Sequence, residues 1–227
     1  MNLAQMCMIS IADRFWKMTY SKELIRRCSL EKLSLESVEV IAEVRRHIDD
    51  LILPVPLKKE LQVITLRMGV QLVAWRPYSR YELRVGLQSF YKCIDHVHWD
   101  NNGIIEEVRT AEALYKAGLL RICHRNWRII CDYCLEECII DFWMKLVTDS
   151  DQRRRQCICK TAKRECMIYL YWVLRMENNL EQFPLLARGY DDRRTLDENM
   201  LQYSYTHGPS ATMYFQKRVD ENVRKNS

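Results

Sequence analysis

Between Pro56 and Pro77 the apolar residues Leu57, Leu61, Ile64, Met68, Leu72 and Trp75 recur at intervals of three and four. That spacing gathers all six on one side of an α-helix, whereas a strand would send them alternately to opposite faces. Pro77 stops the helix, and Pro56 fits its first turn, where a missing N–H costs no hydrogen bond. Gly and Pro are scarce everywhere else too: 6 and 5 in 227 residues, where about 12% together would be usual. Sheet folds spend these residues on their many turns. The expectation is therefore an all-α protein, either an irregular bundle or a short solenoid-like array of short helices. A hydrophobic fraction of 48% with 6 Trp supplies enough apolar surface for one or two cores.

The remaining segments fit the same class. Residues 3–27 read as one or two helices, with Met6, Ile9, Phe15 and Trp16 facing inward. Ser34 is placed to cap a helix carrying Val38, Ile41, Ala42, Ile48 and Leu51. Leu53-Pro54-Val55-Pro56 ends it, because a residue before proline is pushed out of the α region. Residues 77–104 show no sustained period and read as a connector with one short helix, with a turn at Asn101-Asn102-Gly103. Thr110 is suited to cap a helix through Ala113, Leu114 and Ala117, with Gly118 just past its end. Leu120, Cys123, Trp127, Ile130 and Cys134 form the next stripe. Ile139, Ile140, Trp143, Met144 and Val147 form another, with Glu136 and Glu137 at its positive end. After the polar break Asp149-Ser150-Asp151-Gln152, residues 156–177 read as a single helix, apolar almost all round. These breaks divide the chain into an N-terminal helical segment (1–28), a helical core domain (29–148) and a C-terminal helical segment with a frayed tail (149–227). No clean repeat period emerges.

A net charge of +5 is mild for this length and falls short of the concentrated cationic face of a dedicated nucleic-acid binder. Met1-Asn2-Leu3-Ala4-Gln5-Met6 lacks the basic start of a signal peptide. The ten cysteines are then expected as reduced thiols in an intracellular, cytoplasmic protein. The longest apolar run, Cys166 to Leu174, is nine residues, against roughly 18 needed to span a bilayer. No membrane partner is expected.

Candidate chemistry is sparse. Cys131, Cys134 and Cys138 would share one face of a continuous helix, as three thiolates of a zinc or iron–sulfur site or as small buried hydrophobes. Structural zinc sites usually pair two Cys-x-x-Cys knuckles, and no second one exists, so the core reading is preferred. Cys93, His96 and His98 form a mixed group that could ligate a metal if extended or lie idle in a surface loop. Arg153, Arg154, Arg155, Lys160, Lys163 and Arg164 are the one basic concentration, fit for phosphate backbones or for a solvated loop. No phosphate-binding loop, nucleophile elbow or His-Glu-x-x-His motif occurs. The expectation is a protein that is not an enzyme, binds no cofactor and acts through protein–protein contact.

Two resemblances add to this. Trp99-Asp100-Asn101-Asn102-Gly103-Ile104-Ile105 followed by Thr110-Ala111-Glu112-Ala113-Leu114 resembles a group of uncharacterised arthropod proteins abundant in spiders. Matching positions continue at Arg125 to Trp127, Cys131-Asp132-Tyr133-Cys134, Glu136 and Phe142-Trp143, and the opening Ser29 to Leu35 is similar as well. The resemblance covers residues 29–147 and implies a helical, ankyrin-like or solenoid-like fold but no activity.

Residues 34–61 are similar to a suppressor-of-cytokine-signalling box, through Ser34-Leu35 and Leu53-Pro54-Val55-Pro56. This implies a ubiquitin-ligase adaptor with elongin and cullin as partners and Leu53, Pro54 and Pro56 as contact residues. The match departs at Glu39, where the box carries a cysteine, and such a box usually ends a protein.

Overall fold

The computed structural model describes residues 3–31, 38–74, 92–148 and 152–226. The expectations for Ser34, Leu35, Trp75, Pro77, Tyr78, Tyr81, Phe90, Tyr91 and 149–151 lie outside the described residues. The chain is 76% helical, with thirteen helices and no strand among the described residues. All-α architecture is thus established. Two compact units emerge, Met1–Leu119 and Leu120–Ser227, where the sequence pattern had placed boundaries at 28/29 and 148/149.

In the first unit, α1 (Leu3–Lys17), α2 (Thr19–Glu31) and α3 (Val38–Asp49) pack against α4 (Val55–Ala74). This is why residues 1–28 do not stand apart: α1 buries Ile9, Phe15 and Trp16 on the Leu61, Ile64, Met68 and Leu72 stripe of α4. Met6 faces solvent instead, because Met8 and Ala12 complete the inward side of α1. On α3 the buried stripe is Val40, Val44 and Ile48, spaced by four, and Ala42 is exposed.

Residues 95–106 close over this core. Asp100 Oδ1 accepts from the backbone N–H groups of Asn102 and Ile104 at 2.8 Å each, and Gly103 takes the left-handed conformation at φ 69°. Gln71 of α4 clamps the turn, donating to Gly103 O at 2.7 Å and accepting from Ile105 N at 3.1 Å. Trp99 Nε1 reaches Asp13 Oδ1 at 2.9 Å. Helix α5 (Glu107–Lys116) follows. It begins one turn earlier than expected, so Thr110 lies inside it, buried, and its Oγ1 accepts from His98 N at 3.0 Å. Gly118, at φ 69°, ends it as expected, with Leu119 N donating to Leu114 O at 3.0 Å.

The second unit contains α6 (His124–Asp132), α7 (Glu136–Thr148), α8 (Gln152–Glu165) and α9 (Met167–Met176). A 3₁₀ turn (Leu180–Gln182), α10 (Phe183–Leu186), α11 (Leu196–Ser204) and α12 (Pro209–Asn226) complete it. Helix α9 is its axis: every residue from Ile168 to Leu174 is buried, because α6, α7, α8, α10 and α11 all pack on it. The expected single helix over 156–177 is broken at Cys166, which is extended at φ −156°, ψ 139°. Continuous apolarity hid the break. Helix α7 buries Cys138, Ile139, Phe142, Trp143 and Leu146, and three of its expected inward residues, Ile140, Met144 and Val147, are exposed.

Aromatic rings carry much of the packing. Trp127 stacks at a tilt 5.4 Å from both Phe142 and Trp143. Tyr171 meets Trp172 and Phe215 edge-on at 5.3 and 5.2 Å.

Candidate functional site

The corner between α3 and α4 exposes a run of apolar residues. Leu51 N donates to Ile48 O at 3.1 Å and Leu53 N to Leu51 O at 2.9 Å, so the chain leaves α3 in a tight turn. Lys58 N then bonds Pro54 O at 3.1 Å, which starts α4 directly after the prolines. Leu53 tucks partly against the core. Its neighbours do the opposite: Ile52 is fully exposed, Val55 is 66% exposed, and Leu51, Pro54 and Pro56 also face solvent.

The candidate metal groups are dispersed. Helix α6 ends at Asp132, Cys134 has a positive φ of 49°, and Cys138 belongs to α7. The three thiols are therefore not one face of a continuous helix. All three are buried, and burial pushes the Cys134 thiol up to about 12 and Cys131 well above its ordinary value. Cys93 is buried and raised to about 11 by the same cause, while His98 is exposed. Among the described residues, no three His, Cys, Asp or Glu side chains converge on a metal-sized position.

The basic concentration lies within α8, a helix where a solvated loop had been the plainer expectation, and the helix divides it. Arg153, Lys160 and Arg164 fall within about 40° of one another around the helix axis. Arg155 turns the other way, pairs with Glu177 at 2.9 Å and lies 5.5 Å over the Trp143 ring. Arg154 Nη1 reaches Ile122 O at 3.4 Å. Two of the six cations are therefore committed to their own unit.

A further polar site, assembled from distant segments, carries no local sequence signature. Asp132 closes α6, Cys166 stands at the N-cap position of α9, and His207 lies in the turn between α11 and α12. Asp132 Oδ1 accepts from His207 Nε2 at 2.8 Å and from Tyr169 Oη at 2.5 Å. On the far side of the ring, His207 Nδ1 faces Cys166 Sγ at 3.4 Å. Tyr169 meets the imidazole edge-on at 5.6 Å, and the Arg128 guanidinium lies 5.6 Å over the Tyr169 ring. The hydrogen bond to Asp132, then that to Cys166, holds the imidazole up to about 10 against the opposing effect of burial. Burial, seconded by Asp132, pushes the Tyr169 phenol well above its ordinary value. The pair His207–Asp132 stays partly open to water, with side chains 17% and 18% exposed.

Two further ion-pair groups brace this unit. Glu136 accepts from Arg175 and, at 2.6 Å, from Tyr214 Oη, while Arg175 also lies 5.1 Å over the Trp172 ring. Buried Asp197 accepts from Arg218 Nε at 2.7 Å and from Asn222 Nδ2 at 2.7 Å.

Comparison of the chain with protein-family models, with curated proteins and with solved structures finds no match.

Proposed function

We propose that this protein works by protein–protein contact, docking a partner on the apolar corner formed by Leu51, Ile52, Pro54, Val55 and Pro56. The observation that carries this reading is the complete exposure of Ile52, flanked by an exposed valine and two prolines. An isolated exposed leucine is ordinary, but a contiguous apolar tip marks an interaction site. Prolines add affinity here because a corner already rigid before binding loses little freedom on docking. Affinity purification of the chain from native cells, followed by mass spectrometry, tests the reading. A stoichiometric protein partner that Ile52→Asp releases is the expected result. Capture that survives Ile52→Asp moves the interface elsewhere.

A second reading takes the same corner as the docking element of a ubiquitin-ligase adaptor, with elongin and cullin as the partners. A helix, a Leu-Pro-Val-Pro turn and a second helix, with both prolines exposed, support it. The same purification separates the two readings: elongin and cullin would appear among the captured proteins and disappear with Pro54→Ala.

A further inference from the structure

Cys166, His207 and Asp132 come from three separate segments and form one line of contacts: thiol to imidazole at 3.4 Å, imidazole to carboxylate at 2.8 Å. This is the arrangement by which a weak nucleophile is activated: a base in reach of it, and a third group that orients the base. Both ring nitrogens are committed, so the imidazole cannot turn away from the sulfur. Asp132 is itself held by the buried Tyr169 hydroxyl.

Cys166 stands at the N-cap of α9, and the first intrahelical bond of that helix runs from Leu170 N to Cys166 O at 3.1 Å. Cys93, Cys131 and Cys134 are buried, and burial pushes their thiols up. Cys166 is only half-buried and faces a cation-forming ring.

We propose that Cys166 is a nucleophile, activated by His207 and positioned through Asp132, whose reagent is a small hydroperoxide. The limited exposure of His207 and Asp132, 17% and 18%, suits a reagent of a few atoms rather than a polypeptide. A peroxide needs only the two groups present: a sulfur that attacks as its proton passes to His207 Nδ1, and the same ring as the acid that protonates what leaves. The sulfur attacks the terminal oxygen, forming the S–O bond as the O–O bond breaks. Cys166 is oxidised by two electrons to the sulfenic acid, and the peroxide is reduced to an alcohol, or to water when it is hydrogen peroxide. The proton required by the leaving oxygen comes from the Nδ1–H of His207, which ends neutral. Asp132 keeps its bond to Nε2 throughout.

The full chain, treated with hydrogen peroxide and a sulfenic-acid-trapping dione and then mapped by peptide mass spectrometry, tests the proposal. Cys7 and Cys157, both exposed, serve as internal references. Cys166 should label faster than either by at least about tenfold, the advantage expected of a thiol with a base in contact with its sulfur. His207→Gln should erase that advantage while leaving labelling of Cys7 and Cys157 unchanged, and Asp132→Asn should reduce it. Labelling of Cys166 at the rate of Cys7 and Cys157 in the wild-type chain overturns the proposal, whether or not the variants fold. So does a His207→Gln chain that folds and labels at Cys166 as fast as wild type.

Discussion

The indole of Trp16 occupies the space where any residue larger than glycine at position 69 would put its side chain. A Cβ on Gly69 would fall 2.2 Å from Cζ2 of Trp16 and 2.7 Å from its Cη2. The indole cannot withdraw easily, since it is fully buried and its Nε1 donates to Thr65 O at 2.9 Å, one turn back on α4. Glycine inside a helix costs up to about 1 kcal/mol relative to alanine. That cost is accepted here because it lets α1 and α4 approach.

Gly69→Ala is therefore expected to destabilise the protein although it improves helix propensity. Overpacking of this kind costs about 1–3 kcal/mol, measured as a lower midpoint in urea. Combining it with Trp16→Phe, which removes the clashing ring edge, should recover part of the loss, so the double-mutant cycle should give a coupling clearly different from zero.

Stability should fall in alkaline solution through His207. Its folded value is raised to about 10 from an ordinary 6.5. Folding thus favours the protonated ring, and this contribution is complete below about pH 6.5 and disappears as pH rises through about 10. The groups facing the ring are Asp132, Cys166 and Tyr169. The loss between pH 7 and 10.5 should be about 2 kcal/mol, less than the shift alone implies because water screens the open side of the ring. Thermal melts should show wild type losing more than His207→Gln across that interval. Parallel curves would mean that the His207–Asp132 pair contributes nothing to folding.

The sequence made the helices legible but not the polar site, and the reason is range. The stripe Leu61, Ile64, Met68 and Leu72 is a local pattern, so periodicity found α4, and Gly118 announced its own helix end through a left-handed conformation that other residues avoid. Cys166, His207 and Asp132 stand 41, 75 and 34 residues apart pairwise, and no local spacing links them. The break at Cys166 was hidden for another reason: apolar residues continue on both sides of it, so the period carried no mark of the interruption. The wrongly inward Met144 and Ile140 show the same limit, because apolar residues outnumber the positions that α7 can bury. Which of them faced the core depended on α6, α8 and α9.

Arg218 and Asp197 form the second test of the polar framework. Asp197 is buried and accepts at both oxygens from Arg218, at 2.7 and 3.3 Å, with Asn222 adding a third bond. Removing the cation strands a buried carboxylate, which is worse than removing both partners. Arg218→Met should cost about 2–4 kcal/mol by chemical denaturation, and adding Asp197→Asn should return part of it. Additive losses would show that the two side chains do not depend on each other.

Trp143 and Met144 are neighbours on α7 with opposite surroundings, 4% and 59% exposed. Trp143 packs on Trp127 at 5.4 Å and lies under the Arg155 guanidinium at 5.5 Å. Its truncation to alanine removes a buried aromatic and a cation–π contact, so Trp143→Ala should destabilise by about 3–5 kcal/mol. Met144→Ala should change stability by no more than about 0.5 kcal/mol, as surface substitutions do. The comparison is decisive because both changes sit in one helix and share its backbone propensity. If Met144→Ala costs as much as a core truncation, then Ile140, Met144 and Val147 are covered in solution, and sedimentation at several concentrations would show whether a second copy of the chain covers them.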